Sequence, residues 1–144
     1  MTEVRPARDA DEIRAALALR HEVFVIEQRV PIEEEVDRHD DTALHLVAVD
    51  GRRVVATCRL VTAGETVKLG RMAVAAAARR RGIASALLAE AEARAAALGA
   101  RRIALAAQTG AVALYAQAGY AAYGERFLDA GIEHVMMEKR LDQA

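Results

Sequence analysis

The sequence predicts an α/β protein with an α+β mixed sheet, in which an antiparallel meander leads into a parallel strand pair with flanking helices. Three observations carry that class. Apolar, β-branched runs at residues 44–50, 54–61 and 66–74 are separated only by Gly51-Arg52-Arg53 and Ala63-Gly64-Glu65, turns too short for anything but antiparallel neighbours. A long Ala- and Leu-rich helical pattern from about Gly82 to Leu98 then feeds a short apolar strand at 101–107, the spacing of a right-handed β-α-β unit. The chain closes with two extended runs around Asp129-Ala130-Gly131, a terminal hairpin.

The remaining elements follow in order. Val4 lies in a short first strand, and Asp9 or Asp11 caps a helix running through Ile13, Leu17 and Arg20 toward Phe24. Pro31 ends any helix nearby, and the acidic residues 32–43 read as loop. Strict alternation over 66–74 puts Val67, Leu69, Arg71 and Ala73 on one face, with Lys68, Gly70, Met72 and Val74 on the other. In the long helix Ile83, Leu87, Ala91 and Leu98 take the buried face, and Gly99 stops it. A shorter helix covers about 110–118 and ends at Gly119.

Composition narrows the function classes. The chain has 144 residues, the size of one domain spanning 1–144, and a formal charge of −1. Near-neutral charge and scarce aromatics argue against nucleic acid and anionic membrane as partners. The opening MTEVRPARDADEIR is too polar for a secretory core, so a cytoplasmic protein is expected. Cys58, the single cysteine, allows no intramolecular disulfide and reads as a buried strand residue. His21, His39 and His45 have no partners at ligand spacing, so no metal is expected.

The chemically informative stretch is Arg79-Arg80-Arg81-Gly82-Ile83-Ala84, between a strand and the start of the long helix. Helix N-termini carry unsatisfied N–H groups and partial positive charge, and a glycine there lets a phosphate approach the backbone. A diphosphate suits that site. The triplet alone also reads as a solvated basic edge or a small nucleic-acid patch, since basic runs are weak motifs.

Arg79-x-x-Gly82-x-Ala84, following Met72-Ala73-Val74, resembles the Q/R-x-x-G-x-G/A signature of the GCN5-related N-acetyltransferases, the GNAT family. Gln108-x-x-Ala111-x-x-Leu114-Tyr115-x-x-x-Gly119-Tyr120 resembles that family's second segment, with Gln where Asn is common. Residues 20–31, Glu35-x-Asp37 with Asp40, and the ending 131–137 resemble its ElaA-like branch. Arg20-x-x-x-Phe24 with Asp37-x-x-Asp40 is distantly similar to acyl-homoserine lactone synthases, which share the fold.

The resemblance implies a GNAT acyl-CoA N-acyltransferase fold and an enzyme moving the acetyl group of acetyl-CoA directly to a primary amine of a small molecule or peptide. Acetyl-CoA would lie between two splayed parallel strands. The backbone of Met72, Ala73 and Val74 would pair with its pantetheine arm. Arg79, Arg80, Arg81, Gly82, Ile83, Ala84 and Ser85 would surround the pyrophosphate, with Gln108 and Tyr115 near the thioester. Tyr115 is then the candidate general acid, against a packing role beside Gly119. For the base, Glu27, Glu35, Asp37 and His134 are candidates. The acidic loop equally reads as solvated, and His134 as structural. Phe24, Glu27, Gln28 and Asp40 fall on the acceptor side, where acidity suggests a cationic amine. Two alternatives stay open: a CoA-binding sensor without turnover, and an acyltransferase using longer acyl-CoA donors. The final hairpin leaves a homodimer open as well.

Overall fold

In a computed structural model, which describes residues 2–141, a seven-stranded sheet runs in the order β1-β2-β3-β4-β5-β7-β6. Its strands are β1 (Thr2–Pro6), β2 (Leu44–Asp50), β3 (Arg53–Ala63), β4 (Thr66–Val74), β5 (Arg102–Gln108), β6 (Ala121–Asp129) and β7 (Ile132–Arg140). All neighbours are antiparallel except β4 and β5. That pair is joined by α3 (Ile83–Ala97), as the helix-then-strand spacing requires. The mixed α/β class and the element order agree with the sequence reading.

Asp9 caps α1 (Ala10–Arg20), its side chain accepting from the Glu12 N–H, and a π-helical turn, His21–Glu27, continues the helix to Phe24 and beyond. The acidic stretch is more ordered than a loop. Pro31 starts rather than forbids structure there, preceding one turn of helix, α2 (Ile32–Glu35), because a proline needs no N–H at a helix start. Asp37 then caps a 3₁₀ turn over Arg38–Asp41, and the Asp40 carboxylate accepts in return from the Asp37 N–H.

One side of the sheet is sealed by α3, whose Ile83, Leu87, Leu88, Ala91 and Ala95 form the buried stripe. Leu98, expected inside, is 56% exposed, because the helix stops at Ala97 and the chain turns away at Gly99 (φ 84°). On the opposite side α1 contributes Ala16 and Leu19, and the π-helical turn after it contributes Val23.

Simple alternation fails in β4. Between Arg59↔Gly70 and Thr57↔Ala73, β4 spends one residue more than β3, and Arg71 sits at φ 55°. This bulge swaps the faces beyond it. Val67 and Leu69 belong to the α3-side core, and past the bulge Met72 and Val74 pack against that same core while Ala73 joins Leu19 and Val23. Arg71 is thereby turned toward α2.

The β4–β5 pairing runs from Thr66↔Arg102 to Leu69↔Leu105 and then stops. Beyond it β4 stays paired to β3, and β5 to β7, so the two strands diverge and the sheet splits.

Candidate active site

The split opens into a cavity of about 780 Å³ that reaches both sides of the sheet. Ala84, Ala111, Leu114 and Tyr115 line it toward α3 and the short helix α4 (Val112–Gln117); Phe24, Gln28, Lys68, Arg71, His134 and Met136 line it on the other side.

On the α3 side, the helix start is unusually bare. Gly82 occupies the N-cap at φ 75°, and no side chain caps the helix. The first intrahelical bond there is Ala86 N–H to the Gly82 carbonyl. The N–H groups of Ile83, Ala84 and Ser85 are therefore left without a helical acceptor, in contrast to Asp9-capped α1. A Cβ added to Gly82 would meet nothing within 4 Å, and Arg80 (φ 65°) also takes a left-handed turn. Such a concave run of amides suits an anion. Arg80, Arg81 and Ser85 are exposed around it. Arg79 is differently engaged: its Nε donates to the Val74 carbonyl at 3.0 Å, and its two Nη atoms donate to Glu27 at 3.1 and 2.8 Å.

At the divergent edge of β4, the Ala75 N–H donates to the Val55 carbonyl of β3. By antiparallel alternation the N–H groups of Met72 and Val74 point away from β3, into the split. Tyr115, 6% exposed, stands below with its ring edge-on to Tyr120. Burial pushes its phenol up to about 12, so it keeps its proton at neutral pH. Its hydroxyl has no hydrogen-bond partner among the described residues.

The opposite wall is organised by a network of three arginines and three carboxylates. Arg20, 1% exposed, donates to Glu35 Oε2 at 3.0 and 2.8 Å and to Asp40 at 2.7 and 3.1 Å. Arg59 grips Asp37 at 2.7 and 2.8 Å and reaches Asp40 at 2.9 Å. Arg71 binds the Glu35 carbonyl and carboxylate, both at 3.0 Å, and Asp37 at 3.4 Å. The Arg59 hydrogen bonds hold Asp37 below the usual carboxylate range. Asp40 is lowered too: burial opposes the shift, and the Arg20 and Arg59 hydrogen bonds outweigh it. Glu35 is 2% exposed, and its Oε1 lacks a partner among the described residues.

Two further contacts bracket the opening. Gln108 at the end of β5 donates to Gln28 at 2.9 Å, while Glu27 meets Arg79 on the β4 side. Opposite, the His134 Nδ1–H donates to the Ile132 carbonyl at 2.7 Å. Because that carbonyl only accepts, the neutral ring keeps its lone pair on Nε2. Phe127 stacks on the imidazole at 5.8 Å.

The structure thus gathers most candidates around one split. Tyr115, Glu35, His134, Phe24, Glu27, Gln28 and Gln108 line the cavity, as do Met72, Ala73, Val74, Arg79 and Ala84. Asp37 and Asp40 sit behind the wall as ion-pair partners. The sequence assigns Arg59 and Arg71 no role and places Arg20 only in a family-like motif, although Arg59 interrupts a largely apolar strand run. Among the described residues no cluster suits a metal ion, and no helix is long and apolar enough to cross a membrane.

Comparison with known proteins agrees with this geometry. The acetyltransferase (GNAT) domain family matches residues 8–141. The uncharacterized N-acetyltransferase YjcF of Bacillus subtilis (strain 168) is 38% identical over 134 residues, covering 92% of this chain and 96% of its own. An acyl-CoA N-acyltransferase from Pseudomonas aeruginosa superposes with a TM-score of 0.84 at 31% identity, covering 96% of this chain and 98% of that one. Escherichia coli ElaA superposes at 0.86 with 23% identity, covering 96% and 99%, and so meets the expected likeness at the level of fold. The bare α3 N-terminus, the split between β4 and β5, and these matches together show that the chain belongs to the GNAT acetyltransferase family.

Proposed function

We propose that the protein transfers the acetyl group of acetyl-CoA directly to a primary amine, with no covalent enzyme intermediate. The observation that carries this reading is the uncapped, Gly82-initiated N-terminus of α3 opening onto the split between β4 and β5. The N–H groups of Ile83, Ala84 and Ser85 would hold the pyrophosphate, with Arg80 and Arg81 adding charge. Met72 and Val74 would offer backbone groups to the pantetheine arm, as an added strand does. Ala73 turns the other way in the ladder.

In the reaction, the amine nitrogen bonds to the thioester carbon and the carbon–sulfur bond breaks, giving the amide and the free thiol. The Val74 N–H is the candidate donor to the oxyanion. Tyr115, protonated and without a protein partner, donates its proton to the leaving sulfur, and solvent restores it. Of the base candidates, His134 is favoured because its Nε2 lone pair is free at the cavity wall. Asp37 is held ionised by Arg59 and is a weak base for that reason. Glu35, tied to Arg20 and Arg71, is better read as a positioning residue. Phe24, Gln28 and Gln108 would shape the meeting point of donor and acceptor, with Asp40, through Arg20, and Glu27, through Arg79, fixing the π-helical segment that carries Phe24 and Gln28.

The test is steady-state thiol release from acetyl-CoA with a panel of amines, using purified protein. Amine-dependent release with stoichiometric amide supports the reading. Tight acetyl-CoA binding with no turnover on any amine overturns it in favour of a cofactor sensor.

A further inference from the structure

The sequence suggested that an acidic mouth attracts a simple cationic amine, but the charges are arranged otherwise. Glu35, Asp37 and Asp40 are consumed by Arg20, Arg59 and Arg71, and Glu27 by Arg79. Lys68 remains on the cavity wall. Its ammonium makes no ion pair or hydrogen bond among the described residues. It stands on a central strand, one register before the β4–β5 pairing ends, opposite Ala104 on β5 and Val61 on β3.

Its surroundings are small. Gly70 follows on the strand, and a Cβ there would meet nothing within 4 Å. Ala104 and Ala106 of β5 line the same wall. Lys68 is exposed, and its cross-strand neighbours Val61 and Ala104 offer it no carboxylate. Here it faces a trough of alanine and glycine that leads to the split, and Arg71, 26% exposed, lines that trough beyond it. The lining carboxylates outside ion pairs, Glu34 and Asp129, are at exposed rim positions.

Resting on the transferase reading above, we propose that the acceptor is a small amine that also carries a carboxylate. Lys68 takes the carboxylate in the trough, and the amine is presented to the split beside His134. Lys68 is then a specificity residue: it selects the acceptor and takes no part in bond making.

The experiment pairs amino acids with one to five carbons between amine and carboxylate against their own primary amides, and follows thiol release from acetyl-CoA. At least one acid is expected to exceed its amide tenfold or more in kcat/KM. Lys68→Gln should raise KM for that acid at least tenfold, with a smaller change in kcat, and erase the preference; Lys68→Arg should retain it. Equal use of acids and amides, a preference that survives Lys68→Gln, or turnover of no carboxylated amine would overturn the proposal. Acetyl-CoA binding is measured by calorimetry on the same samples. Failure of the transferase reading shows as no thiol release with any amine, acid or amide, with or without cofactor binding, whereas failure of this inference shows as cofactor binding and turnover of amines without carboxylate selection.

Discussion

Replacing Arg20 by Met removes the centre of the buried ion network while keeping a side chain of similar length. Glu35, 2% exposed, then keeps only Arg71, and Asp40 keeps only Arg59. Breaking a buried pair by deleting one partner costs about 3–5 kcal/mol, chiefly because charge is left uncompensated. Both carboxylates retain one cation, so the lower end, about 3 kcal/mol, is expected. Unfolding entropy of about 2.1 cal/mol/K per residue over this chain is about 0.3 kcal/mol/K, which turns that loss into a drop in Tm of about 10 °C. Urea and thermal melts at neutral pH read it directly. Among folded molecules, the π-helical segment holding Phe24 and Gln28 loses its anchor. KM for the amine should therefore rise several-fold, with the acetyl-CoA KM nearly unchanged. A destabilisation under about 1 kcal/mol would refute the claim that this network organises the acceptor wall.

Four other outcomes are expected. Tyr115→Phe should lower kcat by about 10²–10⁴-fold with little change in cofactor affinity; because its hydroxyl has no protein partner, stability should stay within about 1 kcal/mol of the parent. His134→Gln should lower kcat with little change in acetyl-CoA affinity, whereas an unchanged kcat would remove His134 as the base. Stability should fall as pH rises from 8 to 11: burial pushes the Cys58 thiol from 9.0 to about 12, so the unfolded chain ionises first. That single group removes roughly 1 kcal/mol by pH 10, and Cys58→Ala should reduce the slope seen in alkaline melts. On the acid side Asp37 and Asp40 have lowered values. Their contribution is present above about pH 4 and lost as pH falls further, so melts at pH 5 and pH 3 should differ less in Arg59→Met than in the parent.

Much of this molecule is legible from local pattern. Short turns set the meander, Gly82 and Gly99 bound α3, and Ala130-Gly131 makes the last hairpin, because each depends on residues close in sequence. The β4 bulge is not legible in this way. Period-two alternation is satisfied by either register, and only pairing with β3 shows the extra residue that turns Arg71 aside. Leu98 misleads for a related reason: helical spacing continues one residue past the point where the backbone leaves the helix. At the candidate site, the Gly82 turn into α3 and Tyr115 are located by motif, since both depend on contiguous segments. The acidic run looked like an open lure for a cation because its partners Arg20, Arg59 and Arg71 are 15 or more residues away from the carboxylates they meet. That neutralisation, and the solitary charge of Lys68 that it leaves, emerge only when the strands are laid side by side.

The most direct test of the whole account is calorimetric titration of coenzyme A into the parent protein and into Gly82→Val. The parent should bind one equivalent. The variant should remain folded by circular dichroism yet lose at least tenfold in affinity, because a branched side chain at φ 75° strains the turn and intrudes where the diphosphate meets the α3 amides. Equal affinity in the two proteins, or no binding to either, would contradict the assignment of that helix start as the cofactor site.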